Sequence, residues 1–91
     1  MRVEIKPHFL TSRGVRHAVI SFENGKEVSI LMGPNPMIHS VAGESVEVLC
    51  SDEGDTRDYV TYPELYELLQ EKAEGDKLSS DWKERLLALS C

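Results

Sequence analysis

Glu64, Glu67, Glu71 and Glu74 are spaced three, four and three residues apart. On an α-helix that interval gathers all four carboxylates within about 80° of arc. Neighbours in such a row stand about 5–6 Å apart, comparable to the phosphates of a nucleic-acid backbone. The row can simply solvate a helix face, with Glu64 and Glu67 favourably near the helix N-terminus. It can also dock a basic partner. Only Lys72 interrupts the negative charge of the segment. Many amphipathic helices share the spacing, so it points to a surface and not to a reaction.

A second acidic run, Ser51-Asp52-Glu53-Gly54-Asp55-Thr56-Arg57-Asp58, has the look of a calcium loop. An EF-hand needs acidic or amide residues at positions 1, 3 and 5 and glycine at 6. Counting from Asp52, position 3 is Gly54 and position 6 is Arg57, so the pattern fails and the segment reads as an exposed turn. His8, His17 and His39 are scattered, with no pair at helical spacing and no cysteine pair nearby. A zinc site would need them to converge with Cys50 or a carboxylate, which the spacing does not suggest. No metal ligand and no cofactor is assigned. His39-Ser40 offers a base beside a hydroxyl, but adjacent residues cannot alone supply an orienting acid and an oxyanion hole. There is no Gly-x-Ser-x-Gly, P-loop or dinucleotide fingerprint. The chain is read as non-enzymatic, with no catalytic residue.

Charge is divided along the chain. Residues 1–43 carry five basic residues (Arg2, Lys6, Arg13, Arg16, Lys26) against three acidic, and residues 44–91 carry thirteen acidic against five basic. The acidic half argues against docking on nucleic acid or anionic lipid. Arg2, Lys6, Arg13 and Arg16 would form a basic patch if the first two strands are neighbours. An RNA-binding sheet pairs such a patch with exposed aromatics, whereas Phe9 and Phe22 look core-directed. Cys50 alternates with Val46 and Val48 and reads as a small core residue. Cys91, the last residue, reads as an exposed thiol; a bridge between the two would need an oxidising compartment. No apolar run approaches a membrane span. The N-terminus alternates like a strand and not like a signal peptide, so a cytoplasmic location is expected.

The elements that position these residues follow from periodicity. Ninety-one residues make one domain, residues 1–91, with a modest core. Ala18, Ile20 and Phe22 alternate before Asn24-Gly25, and Val28, Ile30 and Met32 alternate after it, the pattern of a β-hairpin. A two-residue loop would mix the faces. A three-residue loop, Glu23-Asn24-Gly25, pairs Phe22 with Lys26 and Ile20 with Val28, and requires Gly25 in the left-handed region. A first strand covers about residues 2–6, and Phe9 and Leu10 are expected to fold back over the core. Gly33-Pro34-Asn35-Pro36 ends the third strand. The connection over 33–43 is long enough to be a binding loop or a crossover with Met37 and Ile38 tucked onto the sheet. A fourth strand spans Glu44 to Cys50, where Leu49 breaks the polar alternation and hints at a bulge or a partly covered second face. Tyr59 and Val60 are expected to add a short extended segment before the helix.

Thr61 and Glu64 form a capping-box pattern with Pro63 in the first turn. The helix they start runs from Tyr62 to about Glu74, ended by Gly75. Tyr62, Leu65, Tyr66, Leu69 and Ala73, flanked by Leu68, form its apolar sector. Trp82, Leu86, Leu87 and Leu89 predict a second helix. The expected architecture is α+β: an antiparallel sheet of about four strands with two C-terminal helices on one face, a two-layer sandwich. The leading functional expectation is a protein-binding module that uses Glu64, Glu67, Glu71 and Glu74 against a basic, nucleic-acid-handling protein. Its compositional profile fits, by analogy only, small phage or mobile-element antagonists and toxin-immunity proteins. The alternative is a nucleic-acid-binding accessory protein that uses the N-terminal basic residues.

Overall fold

Asn24 and Gly25 turn the chain as the alternation requires. In the computed structural model, which describes residues 2–6, 10–74 and 84, Phe22 N–H donates to the Lys26 carbonyl at 2.9 Å. Ile20 faces Val28 and Ala18 faces Ile30. Gly25 has φ +88°, a conformation a Cβ disfavours. The strands so joined are β2 (Arg16–Ser21) and β3 (Glu27–Met32). β1 (Arg2–Ile5), β4 (Ser45–Cys50) and β5 (Arg57–Thr61) complete a five-stranded antiparallel sheet in the order β1-β2-β3-β4-β5. Among the described residues the expected four strands are therefore five. β5 is an edge strand of which only Val60 is buried, so it carries no alternation to read.

One helix, α1 (Tyr62–Ala73), follows β5 directly. The capping box is present: the Thr61 hydroxyl accepts from Glu64 N–H, and the Glu64 carboxylate accepts from Thr61 N–H at 3.1 Å. Leu65, Leu68, Leu69 and Ala73 pack on Ala18, Ile20, Phe22, Val28, Ile30, Val46, Val48 and Cys50, so the fold is α+β with the helix on one face of the sheet. The buried side of α1 is turned toward Leu68 and takes in Lys72, while Tyr66, expected in the apolar sector, is exposed. Glu74 itself adopts the left-handed conformation that ends the helix, at φ +51°, one residue before the expected Gly75. Gly75, the expected second helix with Trp82, Leu86, Leu87 and Leu89, and Cys91 lie outside the described residues, as do His8 and Phe9.

The other face of the sheet carries a second, smaller apolar cluster at one end. Leu10, Val15 and Ile38 cluster there against Leu31, so Leu10 packs on the face away from α1 and not over the main core. Ile38 anchors the 33–43 connection, whereas Met37 is exposed. The connection is also held at Gly33, where φ is +134° and an added Cβ would run into the Gly14 carbonyl. Farther along this face Val19 is buried as well. His17 and Ser29 share a 2.8 Å hydrogen bond there, and Leu49 is exposed beside them along a shallow groove of about 440 Å³.

Candidate functional site

The sheet end below the C-terminus of α1 is built on ion pairs. Lys72 enters from the helix with its side chain only 7% exposed, and its Nζ lies 2.9 Å from Glu53 Oε2 and 3.1 Å from Asp52 Oδ1. Arg57, on β5, grips Glu53 from the other side with two guanidinium nitrogens, one at 2.9 Å. Lys26, just past the hairpin turn, pairs with Glu74 and lies 3.5 Å from Asp52. Asn24 donates from Nδ2 to the Lys72 carbonyl at 2.8 Å, satisfying a helix-end acceptor that has no partner in the helix. The hairpin tip thus caps α1. The hydrogen bonds from Arg57 and then Lys72 push the Glu53 carboxyl down to about 2. Hydrogen bonding from Lys72 lowers Asp52, and from Lys26 lowers Glu74. In return the Glu53 hydrogen bond raises Lys72 and the Glu74 hydrogen bond raises Lys26.

The loop that resembled a calcium site therefore holds the protein's own cations. Cys50 comes within ligand range of Asp52 and Glu53. Those two acids are occupied by Lys72 and Arg57, and burial pushes the Cys50 thiol up, away from the thiolate form that binds metals. Cys50 is a core residue, 1% exposed.

The acidic row of α1 divides by task. Glu64 is spent on the capping box, whose hydrogen bonds from Thr61 lower its carboxyl. Glu74 is tied to Lys26 and Asn24. Glu67 and Glu71 are exposed and make no ion pair among the described residues, although Glu71 lies within electrostatic reach of Arg57. Among the described residues, the two central members of the row are the ones left without an ion pair or a capping role.

A third cluster joins residues distant in the chain. His39 Nδ1 lies 3.3 Å from Glu47 Oε1 and 3.3 Å from Asp58 Oδ2. Glu47 is on β4, Asp58 on β5 and His39 in the 33–43 connection. A register irregularity between Val46 and Val48 explains the meeting: Val46 faces Val60 and Val48 faces Arg57, so Asp58 and Tyr59 together oppose Glu47. The extra residue turns Asp58 toward Glu47, and Tyr59 takes φ +53°. Tyr59 N–H then donates to the His39 carbonyl at 2.9 Å, pinning the loop to the strand. Thr56 Oγ1 bonds Asp58 Oδ1 at 3.3 Å. By spacing alone His39 has no ligand partner beyond its neighbour Ser40, and its convergence with carboxylates is not legible, because nothing local signals a bulge in a strand without alternation.

The N-terminal basic residues do not all lie together. β1 and β2 are neighbours, but Arg2 lies level with Ser21 and Arg16 with Met32, at opposite ends of β2, about 17 Å apart at strand rise. Arg2 pairs with Glu4 at 2.9 Å, and Lys6 lies 4.0 Å from the same acid. No helix among the described residues is long and apolar enough to cross a membrane. No protein-family model, curated protein or solved structure matches the chain.

Proposed function

We propose that this chain is a non-enzymatic protein-binding module, a small acidic inhibitor or regulator whose partner is a basic, nucleic-acid-handling protein. The reading rests on charge left uncompensated among the described residues. Residues 44–74 contain ten acids and two bases, Arg57 and Lys72. Both bases, together with Lys26, are committed to Asp52, Glu53 and Glu74. Glu67 and Glu71 on α1 pair with no base among the described residues and are the carboxylates assigned here to external cations. The β5–α1 unit also exposes Tyr59 and Tyr66, the residue type enriched where protein interfaces bury their centres. The alternative, nucleic-acid binding through Arg2, Lys6, Arg13 and Arg16, is weakened by their dispersal and by Glu4.

A fluorescent Arg/Lys-rich peptide and a fluorescent single-stranded oligonucleotide test the two readings, by anisotropy at low and physiological salt. The peptide is expected to bind, more weakly at the higher salt because surface charges are screened over about 8–10 Å. Glu67→Lys with Glu71→Lys should abolish that binding without altering the circular dichroism spectrum. Binding of the oligonucleotide, lost on reversing Arg13 and Arg16, would replace this reading with its alternative.

A further inference from the structure

We propose that His39, Glu47 and Asp58 form a binding site for a divalent transition-metal ion, best suited to zinc. Charge balance is the first argument. Two carboxylates converge on one imidazole nitrogen, and no Lys or Arg pairs with either acid among the described residues. A single histidine contributes at most one positive charge, so the pair of acids is never fully neutralised by it. Glu47 is the most enclosed of the three, its side chain 11% exposed, and a carboxylate largely removed from water is well served by a close cation. A dication bound between the three side chains removes the deficit, with His39 as a neutral ligand.

Distance is the second argument. Zinc bonds nitrogen at about 2.0–2.1 Å and carboxylate oxygen at about 2.0–2.2 Å in tetrahedral geometry, which sets nitrogen-to-oxygen edges of about 3.3–3.5 Å. The two separations from His39 Nδ1 are both 3.3 Å, and all three ligand atoms lie within 4.8 Å of one another. Small side-chain rotations therefore admit the ion without moving the backbone. An imidazole with two carboxylates suits zinc and its transition-metal neighbours better than magnesium or calcium, which prefer oxygen alone. His39 and Asp58 are about half exposed, so water reaches the fourth position. The ligands come from the 33–43 connection, β4 and β5, so the ion would also lock the long connection to the sheet edge.

Isothermal titration of the purified chain with zinc chloride in a non-chelating buffer tests the site, without any protein partner. The expected result is one zinc ion per chain, with affinity lowered at least about 100-fold by His39→Ala and by Asp58→Asn. Asp55→Asn, an exposed acid of the same loop region, should leave it unchanged. Cobalt added in place of zinc should give the intense visible absorption of a tetrahedral ion, and magnesium should not compete. Circular dichroism of both ligand variants confirms that each is folded, and Asp58→Asn preserves the shape of the side chain if His39→Ala does not fold. Absence of stoichiometric binding to the wild-type chain overturns the proposal. So does weak binding that Asp55→Asn reduces as much as Asp58→Asn, since that describes an acidic surface only. Neither outcome bears on the peptide test above, which involves different residues.

Discussion

Gly33→Ala should be among the most damaging single-methyl additions to this protein. Gly33 sits at φ +134°, in a region essentially reserved for glycine, where an L-residue costs about 1–3 kcal/mol. The new Cβ would also stand 3.3 Å from the Gly14 carbonyl carbon and 3.4 Å from Val15 Cα, and closer still to the Gly14 oxygen. These are backbone atoms and cannot rotate away, so overpacking adds about 1–3 kcal/mol. The sum is about 4 kcal/mol, a large share of the roughly 5–15 kcal/mol available to a small domain, and a fall in melting temperature of about 15–30 °C. Gly25→Ala is the matched control. Gly25 also has positive φ, +88°, but nothing lies within 4 Å of its Cβ position, so its cost is limited to about 1 kcal/mol of backbone strain. Urea unfolding of both variants and the wild type, followed by far-ultraviolet circular dichroism, measures the difference. The reasoning is refuted if Gly33→Ala lies within about 0.5 kcal/mol of Gly25→Ala.

Acid should erode stability in a definite window. The folded-state carboxyls of Glu53 (about 2), Asp52, Glu64 and Glu74 are all depressed. Their contribution is thus complete above the ordinary carboxylate range and is lost as pH falls from about 4.5 toward 2. Melting temperatures at pH 7, 4 and 2 should decline in that order, and Glu53→Gln should flatten the decline; a curve unchanged by that substitution would show the ion network to be inert. Lys72→Met should lower the melting temperature more than Lys26→Met, because the Lys72 side chain is 7% exposed against 29% for Lys26 and exposed pairs contribute little. Equal effects in calorimetry would show that burial does not set the strength of these pairs.

Local chemistry decided much of this fold in advance. The alternation on either side of Asn24-Gly25 determined the hairpin register, because only one loop length keeps the apolar residues on one face. Thr61 and Glu64 determined where α1 begins, since both halves of the capping box lie within four residues. The elements that were missed depend on partners far along the chain. β5 has a single buried residue and becomes a strand only because β4 offers it a ladder. Lys72 reads as an interruption in an acidic row until the sheet brings Asp52 and Glu53 beneath it. Glu64 and Glu74 look equivalent to Glu67 and Glu71 by spacing, and only the cap and the hairpin tip distinguish them. His39, Glu47 and Asp58 meet through a bulge at a sheet edge, a one-residue change of register that no periodicity records. Periodicity reports which face a residue takes within its own element. Which charges come together across elements is decided by register, and register between distant strands belongs to the tertiary structure.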